Sequence, residues 1–234
     1  MKKVLRLANK AMKEYEMLAD GDKVMIGLSG GKDSLALVEV LAARQKIFKP
    51  KIEVLACHVS VENVPYQSDL DYLQEFCESR GVKFVHKTTH FDEDTKDGRG
   101  PCFLCAWNRR KTLFKVAEEF GCTKLALGHH KDDILETLLM NQIFQGAYAT
   151  MPPVLRMAKF DMTIIRPLAL VREEEIEALA VEHEYQKQIK NCPHEKVSNR
   201  PQVREILKRM EELNPNAASS LWGAMTNIQE EYLP

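Results

Sequence analysis

The stretch KVMIGLSGGKDSLALVEVL, residues 23–41, decides the fold class. It opens with a short apolar run, residues 24–28, of the kind that forms a buried parallel strand. It closes with apolar residues at helical spacing. Between the two lies SGGKDS, residues 29–34, in which glycine backbone and the first amides of a helix can surround an anion. The stretch therefore predicts a strand, a ligand-binding loop and a helix, in that order.

Strand and helix patterns alternate through the rest of the chain. Further strands are predicted at residues 52–59, 82–85, 125–128 and 162–166, and helices at about 2–19, 70–77, 103–120 and 132–144, from 172, after 198 and around 217. This order predicts a doubly wound, mostly parallel α/β sheet of Rossmann-like topology. We expect a core of residues 1–190 with an N-terminal helix, and a helical extension of residues 191–234. No linker separates the two, so they can form one domain.

The composition favours a soluble globular protein, with 44% hydrophobic and 29% charged residues among 234 and a net charge of −1. The sequence has no run of about 18 apolar residues and no signal-peptide core, so we expect a cytoplasmic protein with no membrane partner. Its six cysteines then predict reduced thiols or metal ligands rather than disulfides. The near-neutral charge excludes a uniformly basic nucleic-acid binder. Any RNA contact needs a local basic patch, for which Arg109, Arg110 and Lys111 are the candidates.

The glycine loop is more specific than an ordinary strand-to-helix turn, although two glycines alone fit either interpretation. Lys32 adds a positive charge, and Ser29 and Ser34 add hydroxyl donors. The loop is not of the Walker A type, because Asp33 stands where that pattern needs Ser or Thr. A carboxylate at this position can help to hold Mg²⁺ beside phosphates.

A second polar cluster, LGHHKDDILET at residues 127–137, closes the fourth predicted strand and begins a helix. A parallel sheet is expected to bring this strand end near the glycine loop. Asp132 and Asp133 suit a helix N-terminus as caps, and Glu136 lies one turn further along the same face. Capping and ligand binding are equally good interpretations of this cluster by itself.

The sequence PCFLC, residues 101–105, ends a polar loop and begins a helix. The thiols of Cys102 and Cys105 are spaced to chelate one ion, and a helix N-terminus favours the thiolate. A closed metal site needs a ligand from elsewhere in the chain, since no second Cys-x-x-Cys exists. A redox pair and two unrelated thiols are the alternatives. Cys57, Cys77 and Cys122 lie apart from this pair, on strand and helix faces or beside a turn, and are interpreted as small core residues.

These motifs resemble those of a known family. SGGKDS resembles the signature of the PP-loop ATP pyrophosphatases, which cleave ATP between the α and β phosphates and adenylate a substrate oxygen. The Cys pair, Arg109-Arg110 and the LGHH motif, in this order, resemble the tRNA 2-thiocytidine synthetase (tRNA-cytidine sulfurtransferase) family. The match spans about residues 20–205 and continues with MPP (151–153), IRPL (165–168), Cys192, Asn199 and Arg200.

The resemblance implies a PP-loop fold of the adenine nucleotide α-hydrolase type and a set of site residues. The ATP-binding residues are Ser29, Gly30, Gly31, Lys32, Asp33, Ser34, His58, Gly128, His129, Asp132 and Asp133. Among them, His58 is expected near the adenosine, although alone it reads as a packed strand-end histidine. Magnesium is expected at Asp33 and Asp133, and Lys32 with Asp33 is expected to act in catalysis.

The resemblance also implies that Cys102, Cys105 and Cys192 hold a catalytic 4Fe–4S cluster in which one iron has no protein ligand. The chain departs from the family pattern at Glu195, where a further cysteine is common. Zinc bound by the three cysteines and His194 is the alternative.

The implied activity is ATP-dependent thiolation of tRNA, in which the 2-carbonyl of a base, expected to be a cytidine of the anticodon loop, is adenylated and its oxygen replaced by sulfur. The sulfur donor is expected to be a cysteine desulfurase or free sulfide, and the sequence leaves a homodimer open. The alternatives are a tRNA lysidine synthetase-like ligase, a non-catalytic ATP-binding iron–sulfur or zinc module, and an enzyme that thiolates a small molecule.

Overall fold

The computed structural model describes residues 1–64, 68–91, 100–158, 161–188 and 199–232. The chain divides into two compact units, one of Met1–His130 with Pro153–Glu195 and one of Lys131–Pro152 with Lys196–Pro234. The predicted boundary at residues 190 and 191 lies outside the described residues, so that division stays a prediction. The helix that begins at Lys131 groups with the C-terminal helices.

The described part of the chain alternates between strands and helices, largely as predicted. The strands are β1 (Lys23–Gly27), β2 (Glu53–Val61), β3 (Lys83–Thr89), β4 (Lys124–Ala126), β5 (Val154–Arg156) and β6 (Thr163–Ile165). The helices are α1 (Lys2–Glu14), α2 (Lys32–Gln45), α3 (Leu70–Glu78), α4 (Pro101–Glu119), α5 (Lys131–Gln145), α6 (Glu173–Glu182), α7 (Arg200–Leu213) and α8 (Ala217–Ala224), followed by a 3-10 turn at Glu230–Tyr232. Helices α5, α7 and α8 belong to the second unit.

The strands of the first unit form one sheet in the order β3-β2-β1-β4-β6-β5. All neighbouring pairs are parallel except β5 with β6, which confirms the predicted doubly wound, mostly parallel fold. The chain runs outward from β1 to β3 on one side and then crosses to β4 on the other. Ligands of such sheets bind where the strand order reverses, at the carboxyl ends of the strands. That position lies between β1 and β4.

Both faces of the sheet are covered, because neighbouring residues of β1 enter different cores. Val24 and Ile26 pack in one hydrophobic cluster with residues of α1, α2, α3 and α6. Met25 packs in another cluster with residues of α4. All three side chains are fully buried. This two-sided burial explains why β1 reads as a continuous apolar run rather than an alternating one.

The second unit has a small core of its own. Leu135 and Leu139 of α5 pack with Val203 and Leu207 of α7 and with Ala218 of α8. The spacing of four residues within each pair puts both members on one helix face. Across the part of the chain that the structure describes, no helix has the length and apolar character needed to span a membrane.

Candidate active site

The glycine loop follows β1 and turns directly into α2. Gly30 has a φ of +82°, which side chains with a Cβ rarely adopt. A Cβ on Gly30 would also lie 2.9 Å from Cγ of Gln188. Gly31 is the N-cap of α2 in an extended conformation. The loop therefore needs glycine at residue 30 for two independent reasons, and it delivers the N-terminus of α2 to the switch point of the sheet.

Two serine hydroxyls hold this loop in shape. The Ser34 Oγ accepts from the backbone N–H of Gly30 (3.1 Å) and donates to the carbonyl of Gly31 (2.9 Å). The Ser29 Oγ accepts from the backbone N–H of Gly31 at 3.3 Å and donates to the Ser34 Oγ at 3.1 Å. Ser34 is buried. Its predicted contact with ATP stays a prediction, and its hydrogen bonds here are those of a loop-forming residue.

Lys32 begins α2 and lies between two carboxylates. Its Nζ is 2.8 Å from Oε1 of Glu173 and 3.2 Å from Oδ1 of Asp33. Burial on its own lowers the pKa of the Lys32 ammonium, but the hydrogen bond to Glu173 and the charge of Asp33 outweigh it, so the pKa lies above its ordinary value. Lys32 is therefore fully charged at neutral pH and is positioned before any ligand arrives.

The second motif reaches the glycine loop through backbone contact, as the parallel sheet predicted. A Cβ on Gly128 would lie 3.1 Å from the carbonyl carbon and oxygen of Asp33 and 3.2 Å from the backbone nitrogen of Ser34. The missing side chain of Gly128 lets the segment after β4 pack tightly on the first turn of α2, and a Cβ there would force the backbone of Asp33 and Ser34 to shift. The buried His130 follows, with its Nε2 3.9 Å from Oδ1 of Asp33.

A cavity of about 520 Å³ opens at the carboxyl ends of the strands, a size typical of small-ligand sites. Several predicted site residues from distant parts of the first unit line it together with apolar side chains. The lining includes Ser29, His58, Asn63, Phe91, Cys102, Cys105, Arg109, Arg110, Leu113, Leu127 and His129. The structure thus brings Ser29, the first residue of the glycine loop, and the Cys-x-x-Cys pair to one cavity.

His58 lies in the wall of this cavity as a neutral imidazole. Its Nδ1 is 2.8 Å from the carbonyl oxygen of Leu28, so Nδ1 carries the proton. Burial lowers the pKa of His58 to about 4, against the weaker opposing effect of that hydrogen bond. Its Nε2 is buried and has no hydrogen-bond partner among the described residues. His58 therefore has an acceptor nitrogen to offer, whereas its expected closeness to adenosine stays a prediction.

Cys102 and Cys105 lie in the first turn of α4 and both line the cavity, Cys102 exposed and Cys105 half-buried. The third predicted ligand, Cys192, lies outside the described residues, as do His194 and Glu195. Within the described ranges no group of three metal-ligating side chains occurs, so the predicted third ligand stays a prediction.

The other described cysteines have a different character. Burial raises the pKa of Cys57 to about 12, of Cys77 to about 12 and of Cys122 to about 11. They therefore remain neutral thiols at neutral pH, in agreement with their interpretation as core residues.

Positive charge gathers along the same cavity. Arg109 and Arg110 line it, and the buried Arg166 donates from Nε to Nδ1 of His129 at 3.2 Å. Burial, helped by the charge of Arg110, lowers the pKa of Arg166 to about 10, which leaves it protonated at neutral pH. This environment suits phosphate groups. The sequence placed Arg166 within a family motif but assigned it no role at the site.

Asp132, Asp133 and Glu136 lie on α5, in the second unit. Arg200 donates to Oδ1 of Asp133 at 2.8 Å and to Oε2 of Glu136 at 3.4 Å, and Arg204 donates to Oε1 of Glu136 at 2.8 Å. The side chain of Glu136 is fully buried, so it depends on these cations. Contact of Asp132 and Asp133 with ATP or magnesium stays a prediction, and the arginine pairing was not predictable from the sequence pattern.

Comparison with known proteins agrees with this geometry. A family model of the PP-loop domain matches residues 2–210. Two relatives, each a tRNA-cytidine(32) 2-sulfurtransferase, come from Pseudomonas putida (strain GB-1) and Marinomonas sp. (strain MWYL1). Each is 36% identical over 237 residues, covering 99% of this chain and 86% or 84% of the relative.

A solved structure is similar over a comparable length. It is the U34-tRNA thiolase NcsA from Methanococcus maripaludis with its 4Fe–4S cluster, at a TM-score of 0.79 and 30% identity, covering 99% of this chain and 82% of that one. The chain belongs to the PP-loop family and, within it, to the tRNA-cytidine sulfurtransferases.

Proposed function

We propose that this protein is an ATP-dependent tRNA sulfurtransferase that thiolates cytidine 32 of the anticodon loop. The observation that carries the proposal is the cavity lined both by Ser29 of the glycine loop and by Cys102 and Cys105. An adenylating loop alone fits any PP-loop enzyme, and a thiol pair alone fits many metal sites. Their meeting in one cavity fits a reaction that activates an oxygen and replaces it with sulfur. The base is taken from the names of the curated relatives.

In the first step the 2-carbonyl oxygen of the base attacks the α-phosphorus of ATP, a new O–P bond forms, and the bond to pyrophosphate breaks. Lys32, the first residue of α2 after Gly31, stabilises the charge on the departing pyrophosphate. Asp33, beside Lys32 in α2, is the proposed ligand of Mg²⁺.

In the second step sulfur bonds to the adenylated carbon and AMP leaves with the former carbonyl oxygen. The described residues fit a 4Fe–4S cluster, because Cys102 and Cys105 open on one cavity at the N-terminus of α4, where thiolates are favoured. With Cys192 as the proposed third ligand, such a cluster would supply an iron site for the sulfur nucleophile. The sulfur donor is proposed to be a cysteine desulfurase or free sulfide.

The remaining cavity residues bind and shield the reactants. Arg109 and Arg110 offset phosphate charge, and the apolar side chains of Leu113 and Leu127 exclude water that would hydrolyse an adenylated base. Arg166 adds a positive charge behind His129. The base has to leave its stack to enter the cavity, and the free-energy cost of this step is smallest for unpaired loop nucleotides.

Mass spectrometry of tRNA nucleosides tests the proposal. Cells without the protein should lack 2-thiocytidine, and the parent gene should restore it. The Cys102→Ala and Cys105→Ala variants should fail to restore it while still binding ATP. The matched control is Cys77→Ala, a buried cysteine of α3 outside the cavity, which should restore it. Full restoration by the cavity variants would refute the proposal.

A second candidate substrate is a uridine of the same loop. The observation in its favour is the similarity to the U34-tRNA thiolase over nearly the whole chain. The same measurement separates the two, because loss of a 2-thiouridine in place of 2-thiocytidine would assign the enzyme to uridine. Metal analysis of anaerobically purified protein, iron with sulfide against stoichiometric zinc, separates the cluster from the zinc alternative.

A further inference from the structure

Helix α4 exposes two large aromatic side chains in its first two turns. Phe103 is 49% exposed and Trp107 is 51% exposed. They are four residues apart, so they lie one turn apart on the same face of the helix. Large aromatic side chains are normally buried, and an exposed pair on one face is a common mark of a binding surface.

The exposure is confined to the part of α4 that carries the thiol pair. Later in the same helix Leu113, Phe114 and Val116 are buried. If α4 merely had a poorly covered side, the aromatic residue Phe114 would share it. The exposed pair is therefore a local feature of the N-terminal turns.

This aromatic face adjoins the cavity. Cys102, Ala106 and Arg110 line the cavity from α4. Phe103 and Trp107 each follow one of these residues in sequence, which places them about 100° further around the helix. If one end of a molecule entered the cavity, the part that stayed outside would lie against Phe103 and Trp107.

From Pro101 to Lys115, the charged side chains of α4 are all positive. Residues 101–115 include Arg109, Arg110, Lys111 and Lys115 and no Asp or Glu, although the whole chain has a net charge of −1. Arg110, Lys111 and Lys115 are exposed. A partner for this surface should carry many negative charges together with flat aromatic rings that are not already stacked on other rings. Unpaired RNA nucleotides have both.

We propose that Phe103 and Trp107 form a stacking platform for the unpaired nucleotides that flank the modified base, and that Arg110 and Lys111 bind their phosphates. The inference rests on the proposed function for the identity of the RNA. Stacking does not distinguish bases strongly, so the platform grips the anticodon loop and leaves the choice of base to the cavity.

Alanine substitution tests the platform with an isolated anticodon stem-loop. Trp107→Ala should weaken stem-loop binding about tenfold, and the Phe103→Ala, Trp107→Ala double variant more, as expected for lost base stacking. ATP binding and iron content should stay as in the parent protein, which separates lost RNA contact from misfolding. The matched control is Phe48→Ala, since Phe48 is 79% exposed and lies in the turn after α2, outside the proposed platform. This variant should bind the stem-loop as tightly as the parent protein.

Fluorescence gives a readout specific to the contact. The chain has two tryptophans, and Trp222→Phe leaves Trp107 as the single reporter. Addition of the stem-loop should quench its emission, whereas a fully paired RNA duplex of equal charge should not. Equal quenching by both RNAs would overturn stacking.

The remaining outcomes are also decisive. Unchanged stem-loop affinity in the double variant would overturn the platform. So would a variant that thiolates normally with free sulfide but fails with a cysteine desulfurase, because the face would then dock a protein. Failure of the proposed function looks different: the parent protein would thiolate no tRNA, while Trp107-dependent binding of unpaired RNA would still uphold the platform.

Discussion

The carboxylate of Glu173, in the first turn of α6, lies 2.8 Å from the ammonium of Lys32, although the two residues are 141 positions apart. This pairing keeps a half-buried cation neutralised. Lys32 is also the residue on which the proposed adenylation depends. If Lys32 binds the phosphates of ATP as proposed, the nucleotide has to compete with Glu173 for it or share it.

Glu173→Gln should tighten the binding of pyrophosphate and of ATP, because it removes the negative charge that competes for Lys32. A partly buried pair of this kind contributes about 1 kcal/mol, so affinity should rise roughly fivefold. Isothermal titration measures it. Glu174→Gln is the matched control, since Glu174 is the exposed next residue of α6 and should leave affinity unchanged. Weaker binding by Glu173→Gln would instead make Glu173 part of the nucleotide or magnesium site.

Gly30→Ala should abolish ATP binding and lower stability, because Gly30 combines a φ of +82° with close contact to Gln188. Gly81→Ala is the matched control. Gly81 has a φ of +73° but open space around its Cβ position, so it should lose only about 1 kcal/mol for backbone strain and keep its ATP affinity. Denaturant unfolding and nucleotide titration on both variants provide the comparison. Equal loss of ATP affinity in both would contradict the role given to the loop.

His58→Gln should make the protein less sensitive to acid. The folded-state pKa of His58 is lowered to about 4 from 6.5. As the pH falls from 6.5 toward 4, the imidazole of His58 therefore becomes protonated in the unfolded chain but stays neutral in the folded protein. The free energy of unfolding decreases over this pH range. Between pH 7 and pH 5 this amounts to about 1–2 kcal/mol.

Urea unfolding at the two pH values measures this effect as the difference between parent and variant. His90→Gln, at an exposed histidine, is the control and should show the same loss on acidification as the parent protein. A His58→Gln variant that loses as much stability as the parent would show that His58 is not buried neutral.

Arg204→Ala should destabilise the protein by about 1–3 kcal/mol, because it leaves the buried carboxylate of Glu136 with fewer cations. Adding Glu136→Gln to Arg204→Ala should restore part of the loss, and a double-mutant cycle measures the coupling. Arg209→Ala is the control, since Arg209 pairs with Glu205 on the exposed side of α7 and should cost less than about 0.5 kcal/mol. Absence of coupling between Arg204 and Glu136 would contradict the proposed dependence.

The parts of the fold that were predictable are those encoded locally. β1, the glycine loop and α2 follow one another without a break, so apolar runs and helical spacing located them. The predicted helix at residues 2–19 ends earlier, at Glu14, because Glu16 takes a positive φ of 48° that leaves the helix. Strand β5 was not predicted, since three residues after Pro153 are too few for an alternating pattern.

The candidate site was predictable wherever it depends on strand ends. Ser29 and His129 follow the ends of the neighbouring parallel strands β1 and β4, and parallel strands end at one edge of a sheet. His58 lies inside β2, next to Cys57, which pairs with the last residue of β1. The pairing of Lys32 with Glu173 was not predictable, because it joins α2 to a helix far along the chain and nothing near Glu173 differs from an ordinary acidic first turn. The same holds for Glu136 with Arg204, where capping and ligand binding looked equally good.

The serine hydroxyls that shape the glycine loop have a consequence for which anions can enter it. The N–H groups of Gly30 and Gly31 already donate to Ser34 and Ser29. An anion that takes up these two amides therefore has to replace two internal hydrogen bonds, which a single small anion offsets poorly. A triphosphate can offset them through its other contacts.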